Sequence, residues 1–290
     1  MSIKSLFLAV AASAAMLVSA SAESWKLAVT DVEGLERLQV EWGPFKEQLE
    51  KATGETFEFF PVNSRTAGAE ALRAERVDFV ISGPAEYVVI NKLTNATPLI
   101  GLGRPDYFCA IIVRADSGIS SPDQLKGQKV AFGDVGSTST MLCPMQLLAD
   151  YGIDPVKDIE KLHTSRAIAH EALKKGDVAA IGQNYRSWVS NARNKDDSVP
   201  YGFFRTLIRS GDLPNDMLMV GAHVPADAAA KVRDAILENK ADIIAGIVAH
   251  EENGKYIGMD LVAIDDSAYD KVRSMYTTAG YPQFDEFIGD

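Results

Sequence analysis

Short apolar runs of β-rich composition alternate along this chain with longer runs of helical periodicity. That alternation limits the fold more than any other feature. WKLAVT (25–30), TFEFFPV (56–62), DFVISG (78–83), YFCAIIVRA (107–115), KVAFGD (129–134), VAAIGQNY (178–185) and MLMVGA (217–222) read as strands. Between them, LERLQVEWGPFKEQLEKATG (35–54) sets Leu35, Leu38, Trp42, Phe45 and Leu49 on one helical face and stops at Gly54. Residues 67–77, 85–93, 137–152 and 168–176 read as further helices, and 225–250 as a helical tail. Strands and helices in this order predict an α/β fold with mainly parallel sheets. The strands are too many for one small sheet, and no Pro/Gly linker or internal repeat divides the chain. A second domain is therefore expected to be inserted into the first. The expected crossings are the β-rich runs Tyr107 to Val113 and Met217 to Val220. They give a first lobe of 23–111 plus 217–290, a second of 112–216, and a cleft between them suited to a small ligand.

Composition excludes some partners. A net charge of −11 argues against nucleic acid, whose phosphates call for a basic surface. It says little about a small anion, which responds to local donors. At the start of the chain, Lys4, the apolar run Leu6 to Val18 and the small-x-small pattern at Ala20 and Ala22 read as a signal peptide over residues 1–22, cleaved after Ala22. The apolar run is too short to span a bilayer. The expected address is the periplasm. The two cysteines, Cys109 and Cys143, then lie in an oxidising compartment, where a disulfide is one reading and two free thiols the other.

GDVGSTSTMLCP (133–144) places four hydroxyls in a row, Ser137, Thr138, Ser139 and Thr140, at the end of a strand and the start of a helix. One N-cap needs one hydroxyl. Three more beside the unsatisfied N–H groups of a helix start make a neutral pocket of donors suited to an oxyanion. The alternative is an ordinary cap in a Ser/Thr-rich loop. The lysine and glycine spacing of a P-loop and the G-x-S-x-G elbow of a serine hydrolase are both missing. Pro144, inside the helix, is expected to kink it.

With VDFVISGPAEYVV, DQLKGQKVAF, STST with Pro144, and GIDP in this order, the chain resembles the phosphonate/phosphite-type periplasmic binding proteins that serve ABC importers. The resemblance covers nearly all of the chain after residue 22. It implies a type II two-lobed fold, each lobe a mixed sheet flanked by helices and joined by two crossing strands. It implies no catalytic activity and no cofactor. It assigns the oxyanion to Ser137, Thr138 and Ser139, and closure of the cleft to Tyr87 of the Gly83-Pro84 turn. Two positions depart from the family pattern: Thr140 stands where a glycine is usual, and Arg166 where a histidine is common. A cysteine pair like Cys109 and Cys143 occurs in the arsenite-sensing branch of the family, which signals to a membrane sensor histidine kinase controlling arsenite oxidation. Arsenous acid is small and mostly neutral, and free thiols would suit As(III). A bridge would only brace strand against helix.

The ligand set expected from sequence is thus Ser137, Thr138, Ser139, Thr140, Tyr87, Cys109, Arg166, Tyr185 and Asp216. The expected ligand is arsenite, read out by a sensor kinase, with phosphite or phosphonate delivered to an ABC permease as the alternative. The four histidines show no metal-ligand spacing and read as surface or packing residues.

Overall fold

The computed structural model of the chain describes residues 24–284 and 286; the proposed signal segment lies outside them. Among the described residues, eleven strands form two sheets. The first contains β1 (Trp25–Val29), β2 (Phe57–Phe59), β3 (Phe79–Ser82), β4 (Thr97–Gly103), β10 (Asp216–Val220) and β11 (Asp260–Ala263), in the order β11-β4-β10-β3-β1-β2. The second contains β5 (Cys109–Arg114), β6 (Lys129–Phe132), β7 (Glu160–His163), β8 (Ala180–Asn184) and β9 (Phe204–Arg209), in the order β7-β6-β8-β5-β9. Both sheets are mixed. β1 runs parallel to β2 and β3, and β6 parallel to β7 and β8, while β10, β11 and β5 pair antiparallel to their neighbours. Sheet two is therefore inserted between β4 and β10 of sheet one, in a two-lobed α/β fold.

The crossings lie one step earlier than the sequence placed them. β5 pairs with β8 and β9 over its whole length, from Cys109 onward, and so lies in sheet two. Asp216 pairs with Leu102 in sheet one. The chain passes between sheets through 104–108 and 210–215, outside the ladders. Pro105 has no N–H to give to a ladder, and Asp106 takes φ 55°, a left-handed conformation foreign to strands.

Helices cover both faces of each sheet. α1 (Leu35–Thr53), α7 (Ala226–Glu238) and α8 (Lys240–Ile247) cover one face of sheet one, where Leu38, Trp42, Phe45 and Leu49 pack with Leu27, Phe79, Ile81, Val232 and Ile243. Leu35, assigned to the same stripe from sequence, is 43% exposed at the first turn. On the other face lie α2 (Arg65–Arg73) and α3 (Pro84–Thr94). β3 is buried at every position, as expected of a strand covered on both faces. Sheet two carries α4 (Cys143–Asp150) on one side and α5 (Arg166–Lys175) with α6 (Tyr185–Asn191) on the other. The last helix, α9 (Asp270–Thr278), touches both lobes. The Tyr276 hydroxyl donates to the Ala85 carbonyl at 3.1 Å, and the Thr278 hydroxyl to Gln146 Oε1 at 2.6 Å. No helix among the described residues is long and apolar enough to cross a membrane.

Cys109 and Cys143 form a disulfide, with Cα atoms 6.1 Å apart. It ties the first residue of β5 to the first residue of α4, and both cysteines are buried. The bridge closes a loop of 34 residues, so in the chain-entropy account it stabilises by roughly 3–4 kcal/mol. Replacing both cysteines by serine is expected to lower the free energy of urea unfolding by about that amount. The unmodified chain, denatured without reductant, is expected to titrate no thiol.

Candidate functional site

The hydroxyl run sits where β6 ends. The chain turns at Gly133 to Gly136 and enters α4 through a π-turn, Thr138–Leu142. The Met141 and Leu142 amides both donate to the Ser137 carbonyl, at 3.1 and 3.0 Å. The wide turn is tied to Pro144. Proline has no N–H for the carbonyl four residues back, and that carbonyl, on Thr140, accepts from the Gly133 amide instead at 2.9 Å. The kink expected at Pro144 is thus taken up ahead of it, and Pro144 occupies the first turn of α4, where a missing N–H costs little. Gly182 of β8 makes room for this arrangement: a Cβ there would meet Pro144 Cβ at 2.5 Å and Phe132 Cδ1 at 2.9 Å.

This helix start faces a cleft of about 670 Å³ lined by both lobes. Lobe two contributes Ser137, Thr138, Ser139, Arg166, Asn184 and Arg186. Lobe one and the crossings contribute Asp31, Arg65, Glu86, Arg104, Asp216 and Lys255. The walls already meet at one point, where the Thr138 hydroxyl accepts from the Ala85 amide of α3 at 3.1 Å. The Ser139 hydroxyl stands against the Tyr107 phenol.

The lobe-one wall is a charge network. Asp216, 4% exposed, faces Arg104 Nη2 at 3.3 Å and Lys255 Nζ at 3.5 Å and accepts from the Tyr256 hydroxyl at 2.8 Å. Lys255 also pairs with Asp31 at 3.2 Å. The Arg104 guanidinium lies over the Tyr107 ring, 3.5 Å from its centroid. Arg65 Nε pairs with Glu86 Oε1 at 3.1 Å.

The sequence-derived set divides accordingly. Ser137, Thr138, Ser139, Arg166 and Asp216 line the cleft; Asn184, also noted from sequence, lines it and caps α6 by accepting from the Ser187 amide at 2.9 Å. Thr140 does not reach the cleft. It is buried against Gly133, where even a Cβ would lie 2.1 Å from its Oγ1. Tyr87 is a correction: it is fully buried, its ring 4.6 Å from that of Tyr269, and its hydroxyl donates to Asp266 at 2.6 Å. Successive helical residues point about 100° apart, so the wall of α3 that faces the cleft carries Glu86 instead. Cys109 is a second correction, because its sulfur is spent in the bridge and buried. Tyr185 is a third, stacked on Phe108 with ring centroids 5.1 Å apart and an 18° interplanar angle. Sequence reasoning missed Arg104, Lys255, Glu86 and Arg65. Arg104 in GLGRPDY follows a strand that went unread, and Lys255 in ENGKY follows a turn; neither carries a motif. Of the histidines, His170 is buried and held by Asp196 at 2.9 Å and Trp188 at 3.2 Å. Glu171 and Asp196 beside it hold the Lys174 ammonium, at 2.6 and 3.1 Å.

Glu86 is a cleft carboxylate whose pKa burial raises. Burial, at 7% exposure, raises its pKa from 4.5 to about 7; Arg65 opposes this and Asp31 adds to it. Its carboxylate folds back so closely over Gly83 that a Cβ there would lie 2.4 Å from Oε2. In the unfolded chain Glu86 loses its proton near 4.5, whereas the folded chain keeps it to about 7. The native state therefore binds more protons in that window, and stability falls as pH rises through it. Glu86→Gln is expected to abolish that fall, which amounts to roughly 2–4 kcal/mol by pH 8. Thermal unfolding of both chains at pH 5 and pH 8 checks this; parallel curves would count against it.

Comparison with known proteins gives this cleft its context. Residues 27–269 match the family described as ABC transporter, phosphonate, periplasmic substrate-binding protein. The chain is 25% identical over 285 residues to the phosphate-import protein PhnD of Mycolicibacterium smegmatis, covering 89% of this chain and 86% of that one. It is 29% identical over 187 residues to the tetrathionate sensor histidine kinase TtrS of Salmonella typhimurium, covering 60% of this chain and 31% of the kinase. Among solved structures, PhnD1 of Prochlorococcus marinus in complex with methylphosphonate shares the fold with a TM-score of 0.63 at 16% identity, covering 89% of this chain and 98% of that one. An inserted second sheet, a polar cleft between the lobes and a match across both lobes lead to one conclusion: the chain belongs to the phosphonate-type periplasmic substrate-binding proteins, a family of solute binders and not of enzymes.

Proposed function

We propose that this chain is a periplasmic receptor, exported by the signal segment 1–22, that closes on a small oxyanion at Ser137–Thr138–Ser139 and presents it to an ABC permease. Phosphite and phosphonates are its first ligands. The observation that carries this reading is the convergence of the hydroxyl-rich helix start and Arg104 on one cleft. The hydroxyls and helix amides supply directional donors, and the guanidinium supplies charge. Closure by movement about the two crossings would bring the walls together, as is common for binding proteins. The family description and the phosphate-import relative support an importer partner.

A second reading is an arsenite receptor that signals to a membrane sensor histidine kinase. Two observations favour it. Asp216 and Glu86 offer acceptors to the O–H groups of neutral arsenous acid in the same cleft, and part of a sensor kinase resembles this chain. The disulfide removes sulfur coordination from this reading, leaving it to rest on hydrogen bonds alone.

Thermal shift separates the two. A ligand at 100 times its Kd stabilises by about 2.7 kcal/mol, enough for a clear rise in Tm. Phosphite or methylphosphonate raising Tm, with arsenite inert, is the outcome expected of the importer receptor. The reverse pattern assigns the sensor. No rise with any of the three at millimolar concentration removes both readings. Ser137→Ala is expected to weaken binding of the active ligand about tenfold.

A further inference from the structure

From the donors that it leaves unused, we infer that Arg104 is the charge anchor of this site, so that the ligand carries a full negative charge, and that its pairing with Asp216 transmits occupancy to the hinge. This deepens the oxyanion reading and rests on it. Arg104 lines the cleft, yet its side chain is only 13% exposed. Its Nε–H is shut off from solvent and has no hydrogen-bond partner among the described residues. A guanidinium has five N–H donors, and a buried cation with donors left over is costly unless something supplies acceptors. Asp216 cannot discharge it alone. That one carboxylate is shared with Lys255 at 3.5 Å and the Tyr256 hydroxyl at 2.8 Å, and it meets Arg104 at 3.3 Å. An anionic oxygen in the cleft can meet the part of the guanidinium that lines it, and the attraction between two opposite full charges favours it over a neutral hydroxyl acid.

The position of the pair gives it a second role. Arg104 opens one crossing segment, directly after β4, and Asp216 ends the other as the first residue of β10. The pair therefore clasps the two strands of chain on which the lobes turn. Arg104 also stacks on Tyr107 of its own crossing, and Tyr107 stands against Ser139 of the binding turn. An anion that draws the guanidinium toward the hydroxyls thus acts on the hinge through the same side chain.

Isothermal titration of the mature chain with phosphite, methylphosphonate and arsenite tests this at pH 7. Wild-type chain binding phosphite or methylphosphonate, with Arg104→Gln weakening that binding about 30-fold or more, is the expected result. Because Arg104→Gln leaves buried Asp216 with one cationic neighbour, Lys255, in place of two, the double variant Arg104→Gln/Asp216→Asn is measured alongside. It is expected to recover Tm but not affinity. Recovery of affinity in the double variant, or binding by Arg104→Gln within threefold of wild type while Ser137→Ala is impaired, overturns the anchor and leaves the oxyanion site standing. Tight binding of arsenite with none of the charged anions also overturns it, since arsenous acid is neutral at that pH. No binding by wild type to any of the three overturns the site and the anchor together. Small-angle scattering adds a readout specific to the hinge: ligand compacts the wild-type chain and fails to compact Arg104→Gln at saturation.

Discussion

The antiparallel pairing of β4 with β10 is the contact on which the rest of the molecule depends. Register sets Leu102 opposite Asp216, so the chain leaves sheet one and returns to it at neighbouring points of one ladder. Everything from β5 to β9 hangs between those two points. That single ladder explains why an insertion of about a hundred residues does not disturb the sheet that receives it. It also explains why Arg104 and Asp216 meet although they lie far apart in sequence. A cleft follows from the same constraint, because two sheets joined by two short chain crossings leave space between them. Into that space project strand ends and helix starts, where α/β folds offer unpaired donors.

Charge in the cleft is arranged in layers. The hydroxyls of Ser137, Thr138 and Ser139 are neutral and give direction. Across the cleft, on the lobe-one wall, stands a network in which Asp31, Glu86 and Asp216 alternate with Arg65, Arg104 and Lys255. Removing charges from water is expensive, and close pairing recovers only part of the cost. The acidic surface of the whole chain, at −11, is no obstacle to binding an anion, since the local donors and guanidinium act at a few ångströms and the distant carboxylates are screened.

Much of this was legible in the sequence, and the gaps have physical causes. The alternation of strands and helices, the inserted sheet and the hydroxyl run at the end of β6 could be read because each rests on periodicity or on a cluster of like residues. β4 escaped notice because TPLIGLG carries one proline and two glycines, residues that read as punctuation; here they sit in a strand whose neighbours, β10 and β11, supply the packing. Its omission hid Arg104, which follows it directly. The family resemblance alone points to Tyr87, and nothing in the sequence marks Glu86, since a buried carboxylate is improbable by composition; only the position of Arg65 makes one tolerable. The cysteines were ambiguous until β5 and the start of α4 were seen side by side, since pairing is a matter of distance.

The last helix has a consequence for how such a molecule moves. α9 and the turn before it are fastened to lobe one by the Tyr276 hydroxyl on the Ala85 carbonyl and by the Tyr87 hydroxyl on Asp266, while the far end of α9 leans on α4 through Thr278 and Gln146. α4 is the helix whose lead-in, Ser137 to Ser139, lines the cleft. A swing of lobe two about the crossings has to carry the Thr278–Gln146 contact with it or break it, so the tail of the chain is a third tether between the lobes.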